Sequence, residues 1–144
     1  MVTAIAASPL DPNVLALIVI PTNGLLPQSG IAFSQDSGKT WRVSTPSGLS
    51  SSAYPFTVKA GAGKARQFYA YYFYEGWLET RDMGTHWYPI TRGTLSNMQT
   101  PSLLTDSIDP NHLFLGGDQG LYESRDDGNH WLHISAIQGN VQSI

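Results

Sequence analysis

The chain contains no cysteine, which removes disulfides, a thiol nucleophile and cysteine-based zinc sites, and leaves the compartment unreadable from redox chemistry. Charge is also scarce: Asp, Glu, Lys and Arg make up 13% of the 144 residues, with a formal net charge of −3. The eight Lys and Arg are scattered singly, so the clustered basic surface needed for nucleic acid is missing, as is support for a membrane-surface role. No stretch approaches the ~20 consecutive apolar residues of a membrane span. The N-terminal 20 residues lack a basic leader region and carry Asp11-Pro12-Asn13 in their middle, so they do not read as a signal peptide. The expected compartment is therefore cytoplasmic, or extracytoplasmic if an export signal lies outside this stretch. Gly61-Ala62-Gly63-Lys64 lacks the remainder of a phosphate-binding loop, and the four histidines show no metal spacing, so no cofactor and no metal are expected.

Glycine (14), proline (9) and aromatics (11%) are abundant, which suits short strands joined by tight turns. One stretch is written three times: Ser34-Gln35-Asp36-Ser37-Gly38-Lys39-Thr40-Trp41, Thr80-Arg81-Asp82-Met83-Gly84-Thr85-His86-Trp87 and Ser124-Arg125-Asp126-Asp127-Gly128-Asn129-His130-Trp131. Each reads Ser or Thr, a free position, Asp, a free position, Gly, two free positions, Trp. The aspartates stand 46 and then 44 residues apart, a period typical of solenoids and propellers. The octet fits a turn between antiparallel strands. Asp accepts hydrogen bonds from backbone N–H groups two or three residues on, Gly supplies a positive φ, and Trp opens the next strand, burying its ring between neighbouring sheets.

These octets resemble the Asp-box (BNR) repeats of β-propellers related to sialidases, xyloglucanases, sortilin-type receptors and a photosystem II assembly factor. The resemblance implies an all-β fold of four-stranded antiparallel blades. It also implies that Ser34, Asp36, Gly38, Trp41, Thr80, Asp82, Gly84, Trp87, Ser124, Asp126, Gly128 and Trp131 build turns away from the ligand-binding face rather than a catalytic site.

In chain order, blade 1 is expected over about 2–45, blade 2 over about 53–92 and blade 3 over about 100–135, with the start of a fourth repeat at 139–144. Val14 to Ile20 is a continuous apolar run, read as a strand covered on both faces. Asp11-Pro12-Asn13 recurs as Asp109-Pro110-Asn111. The turns lie 98 residues apart but their boxes only 90, because a short link at 116–120 replaces the loop at 21–29; insertions confined to loops are what a repeat architecture predicts. Propellers close into rings of roughly 4 to 8 blades. Three blades are therefore expected to belong to a larger ring of roughly 6 to 8 blades, as part of a longer chain or as a half-ring that pairs with a second copy. In the second case Val141 to Ile144 would compete with Val2 to Ile5 of the partner.

Glycoside hydrolysis needs two carboxylates roughly 5 to 10 Å apart across one bond. Among the acids outside the boxes, Asp11 and Asp109 belong to matching turns. Glu79 and Glu123 share one repeat position and read as solvated strand residues, and Asp118 and Glu75 fall in second-to-third-strand loops. Asp106, on a first strand facing the channel, is the one candidate catalytic acid. The arginine cluster of a sialidase cannot be assembled, since Arg81 and Arg125 lie inside boxes and Arg42 just after one. The aromatic run Phe68 to Trp77 reads as a buried strand rather than a sugar platform. The expected function is a non-catalytic binding or assembly scaffold for a protein or carbohydrate ligand; the alternative is a fragment of a xyloglucanase- or sialidase-like glycoside hydrolase.

Overall fold

A computed structural model describes residues 2–20, 29–99, 101–137 and 139–141. Among the described residues twelve strands form three separate four-stranded antiparallel sheets, each a simple meander. The first sheet is β1 (Val2–Ala7), β2 (Leu15–Val19), β3 (Gly30–Ser34) and β4 (Arg42–Ser44); the second is β5 (Pro55–Ala60), β6 (Phe68–Tyr72), β7 (Gly76–Thr80) and β8 (Tyr88–Pro89). The third is β9 (Ser102–Thr105), β10 (Leu113–Gly117), β11 (Gly120–Ser124) and β12 (Leu132–His133). A short 3₁₀ turn, Gly93–Asn97, lies in the connector between the second and third sheets. All but the last residue of the expected loop at 21–29 and the last three residues of the expected fourth repeat, 142–144, lie outside the described residues.

A meander places its first and third links at one end of the sheet and its second link, with the exit to the next sheet, at the other. All three box turns therefore share a turn end. The links after β6 and β10 share a loop end with the residues that leave β4 and β8.

The sheets stack face to face, and the alternation of side chains across each strand decides what lies between them. Phe68, Ala70 and Tyr72 of β6 pack with Leu78 and Met83 against Val14, Ala16, Ile18, Ile31 and Phe33 of blade 1. The intervening Tyr69 and Tyr71, with Trp77 and Ile90, pack against Leu103, Leu113 and Leu115 of blade 3. Blade 2 is thus covered on both faces, and all five residues of β6 are buried. The expectation of a doubly covered strand over 14–20 is corrected: in β2 burial alternates, Ala16 and Ile18 being fully buried while Leu15, Leu17 and Val19 are half-buried. The reason is position, for among the described residues blade 1 has a neighbour on one face only.

The inter-blade layer is not wholly apolar. Gln67 Nε2 donates to Glu79 Oε1 (2.7 Å) and to Tyr69 Oη (3.0 Å). Arg81 holds Glu79 through Nε at 2.7 Å and Asp127 of blade 3 through Nη2 at 2.8 Å. Tyr69 donates to the other oxygen of Asp127 at 2.7 Å. Glu79, expected to be solvated, is in fact 2% exposed. A buried carboxylate survives only when paired and hydrogen-bonded, and Arg81 and Gln67 supply both conditions.

Candidate functional site

At the turn end, one hydrogen-bond arrangement is built three times. The hydroxyl of Ser34, Thr80 or Ser124 donates to Oδ1 of the box aspartate at 2.8, 3.0 and 2.9 Å. The hydroxyl oxygen itself accepts the N–H of the box glycine, at 2.9 Å for Gly38, 2.6 Å for Gly84 and 2.9 Å for Gly128. Aspartate Oδ1 accepts the backbone N–H of Thr40, His86 or His130 at 2.8, 2.9 and 2.8 Å. That bond reaches four residues on, not the expected two or three. The position before Trp, read from the sequence as free, holds a side chain that meets Oδ2: Thr40 Oγ1 at 2.6 Å, His86 Nδ1 at 2.6 Å and His130 Nδ1.

Two consecutive residues turn left-handed in each box. Gly38, Gly84 and Gly128 have φ of 86°, 82° and 82°, and their predecessors Ser37, Met83 and Asp127 have φ of 59°, 58° and 56°. The N–H of each predecessor is held by a carbonyl of the β1–β2-type turn in the same blade: Asn13, Arg66 and Asn111. Sequence reasoning missed this position, because three chemically unrelated side chains fill it.

The three carboxyl groups sit well below the usual range, each at about 2. For Asp36 the chief cause is the hydrogen bond from the Thr40 hydroxyl, for Asp126 that from the His130 ring. For Asp82 partial desolvation pushes upward and is outweighed by the backbone and side-chain bonds of His86 and the hydroxyl of Thr80. Acids held ionised by local donors have no proton to give as general acids.

The tryptophans divide. Trp87 Nε1 donates to Ser44 Oγ of blade 1 at 3.1 Å, and its ring lies 6.1 Å from Phe33. Trp131 Nε1 donates to the Ile90 carbonyl of blade 2 at 2.7 Å. Among the described residues no blade packs on the Trp41 side of blade 1; Trp41 is 39% exposed, and its Nε1 turns back to the Gly38 carbonyl of its own turn at 2.9 Å. The expected burial between sheets therefore fails for Trp41.

Asp106 falls one residue beyond β9, in the bend at the turn end, and not on a channel-facing strand. Its Oδ1 accepts the backbone N–H of Ile108 at 2.8 Å and of Asp109 at 3.4 Å. Those bonds, the first above all, lower its pKa, and Oδ2 faces His112 Nδ1 at 3.3 Å. His112 Nε2 meets Glu123 at 2.7 Å. This acid is occupied as a turn former. Among the described residues, no group of three or more His, Asp or Glu side chains is arranged to hold a metal ion.

The loop end is different in kind. Tyr54 precedes β5 and Phe56 lies near its start; Phe73 and Tyr74 make the β6–β7 link, where Tyr74 adopts φ of 69°. The Phe73 ring lies 4.6 Å from Tyr54, 5.1 Å from Phe56 and 5.7 Å from Tyr71. Tyr54, Phe56 and Tyr74 are 43%, 49% and 67% exposed. The cluster is anchored from beneath, where Tyr71 Oη donates to the Met98 carbonyl at 2.9 Å, and by the bond from Phe73 N–H to the Tyr54 carbonyl at 3.0 Å. Beside it the connector 45–54, with Ser29, lines an open cleft of about 790 Å³. Ser50 N–H donates to Glu75 Oε1 at 2.8 Å, tying this connector to the β6–β7 link. The aromatic run thus splits: Phe68 to Tyr72 and Trp77 are core, while its end at Tyr74 is surface.

No family model matches the chain. No curated protein matches it in sequence. Solved structures do match in shape. The GH74 enzyme of Niastella koreensis aligns with TM-score 0.71 at 16% identity over 93% of this chain and 22% of its own. The GH74 xyloglucanase of Xanthomonas campestris aligns with TM-score 0.68 at 14% identity over 95% and 24%. YCF48 bound to D1 peptide aligns with TM-score 0.67 at 14% identity over 96% and 42%. The chain therefore spans between about a fifth and two-fifths of the structures it matches. Its three sheets have the fold of β-propeller blades, the fold it shares with the GH74 enzymes and YCF48.

Proposed function

We propose that the chain is part of a non-catalytic propeller scaffold that holds a protein partner at its loop end. The observation that carries this reading is the pair of exposed rings, Tyr54 and Phe56, packed on the half-buried Phe73, with the exposed Tyr74 next in the chain, beside an open cleft. Exposed aromatic rings on a rigid frame give large contact area at low entropic cost. The similarity to YCF48 bound to D1 peptide adds support for a peptide as ligand. Function argued from fold alone would be weak, so the test addresses the site. A phage-displayed library of random 12-residue peptides is selected on the immobilised chain. Binders are expected whose affinity falls at least tenfold on Tyr54→Ala or Tyr74→Ala and holds on Lys39→Ala at the turn end. Failure to recover binders, or binders indifferent to both tyrosines, sinks the reading.

The GH74 neighbours favour a second reading, a share of a glycoside hydrolase site with a xyloglucan-like substrate. Its test is release of reducing ends from xyloglucan oligosaccharides. Release above that of a protein-free control would establish that reading in place of the first.

A further inference from the structure

Charge is divided unevenly between the two ends of the sheets. Of the eight Lys and Arg, seven lie in the turn-end links or within two residues of them, and Arg92 alone stands in a loop-end connector. The loop end carries two acids, Glu75 in the β6–β7 link and Asp118 in the β10–β11 link. Both position the connector that enters their own blade. Ser50 N–H donates to Glu75 Oε1 at 2.8 Å, and Gln99 N–H donates to Asp118 Oδ1 at 2.7 Å. Among the described residues the second oxygen of each, Glu75 Oε2 and Asp118 Oδ2, has no hydrogen-bond partner.

The surroundings of the two carboxylates differ. On blade 3 the connector is tied down at several points, by Gln119 Nε2 on the Thr94 carbonyl at 3.1 Å and by Tyr71 Oη on the Met98 carbonyl at 2.9 Å. On blade 2 the carboxylate stands among rings. Tyr74, 67% exposed, immediately precedes Glu75, and Tyr54, 43% exposed, lines the same cleft as Ser50. None of the residues that line this cleft is charged, so the carboxylate bonded to Ser50 sets the sign of the potential at its edge. Arg92, at the start of the other connector, forms no ion pair with Glu75. The face of an aromatic ring is also negative, so rings and carboxylate attract the same kind of group. Among side chains, the guanidinium of arginine meets both: it is planar and weakly hydrated, stacks on aromatic faces and presents several N–H donors to a carboxylate.

We propose that the loop-end site takes a peptide through an arginine, whose guanidinium donates to the free oxygen of Glu75 and stacks on an exposed tyrosine ring, that of Tyr54 or Tyr74. The inference rests on the reading of the loop end as a peptide site and adds the chemistry the peptide carries. Glu75 then has two roles on its two oxygens, one holding the connector and one holding the ligand. Asp118, without exposed rings beside it, keeps only the first.

The 12-residue peptides selected on the immobilised chain test it. Their sequences are expected to contain arginine more often than the starting library does. Exchange of that arginine for citrulline, which keeps the shape and loses the charge, is expected to weaken binding at least tenfold and to remove most of its salt dependence; this needs no change in the protein. Glu75→Gln retains a carbonyl oxygen for the Ser50 N–H, so the connector keeps its anchor while the charge is lost. It is expected to weaken binding at least tenfold with the urea midpoint unchanged. Asp118→Asn, the same change on blade 3, is expected to leave the affinity as it was. Peptides that bind without arginine, that tolerate citrulline, or that bind Glu75→Gln as tightly as the parent chain overturn the inference. If such peptides still lose affinity on Tyr54→Ala or Tyr74→Ala, the loop-end reading itself stands. Recovery of no binder, or of binders indifferent to both tyrosines, overturns the two together.

Discussion

Trp87→Ala is the sharpest probe of how the blades are held together, because the molecule supplies its own control. The Trp87 ring lies half-buried between blades 1 and 2, 6.1 Å from Phe33 and 6.5 Å from Tyr72, with Nε1 bonded to Ser44 Oγ. Removing a fully buried aromatic side chain costs about 3–5 kcal/mol. Half burial reduces that figure, while the lost hydrogen bond restores about 1 kcal/mol. The expected destabilisation is about 2–4 kcal/mol. Trp41 fills the same position of its box but bonds only within its own turn, so Trp41→Ala is expected to cost less than about 1 kcal/mol. The assay is urea unfolding of both variants, followed by far-UV circular dichroism, at a concentration where the chain sediments as a monomer. The slope with denaturant should stay unchanged, so that midpoints report stability directly. Equal losses for the two variants would refute the assignment of Trp87 to the inter-blade seat.

Three further outcomes follow from the same geometry. Thr80→Val keeps shape but leaves the buried Gly84 N–H without its 2.6 Å acceptor, and should cost about 1–3 kcal/mol in the same unfolding assay. Arg81→Met strands the 2% exposed Glu79 carboxylate between two blades. It should destabilise by about 3–5 kcal/mol, while the double change with Glu79→Gln recovers part of the loss in a double-mutant cycle. The box carboxyl groups are lowered from 3.8 to about 2 in the folded chain, so the unfolded chain binds more protons between those values. Their contribution is fully present above about pH 4 and is lost as pH falls toward 2. The thermal midpoint should therefore drop over that window, and the drop should shrink in Asp82→Asn.

The strands and turns were legible because their signals are local. Gly to Ser or Thr, then the box, then Trp, fits within a dozen residues, and the hydroxyl–aspartate–glycine bonds span four positions or fewer. The donor before Trp was missed because Thr40 looks unlike His86 and His130, although all three present a hydrogen-bonding group to Oδ2. Burial of Glu79 could not be read, since its environment is assembled from Gln67, Arg81 and, through Arg81, an aspartate of the next blade. Asp106 was placed on a strand because Leu103 and Leu104 lead into it; the bond from its N–H to the His112 carbonyl instead closes the bend. The aromatic run from Phe68 to Trp77 hid its own division. Tyr74 is drawn out of the core by a left-handed turn that composition does not announce, and Tyr54 and Phe56, which pack on Phe73, come from the end of a connector and the start of β5 some 18 to 20 residues before Tyr74.

The central claim is that the boxes hold the blades while the opposite end does the binding. Hydrogen–deuterium exchange of the chain, free and saturated with a peptide selected from the random library, tests it most directly. The account predicts new protection in the connector 45–54 and the link 73–76, with the three box turns unchanged. Protection concentrated in 34–41, 80–87 or 124–131, with the loop end unaffected, would contradict it.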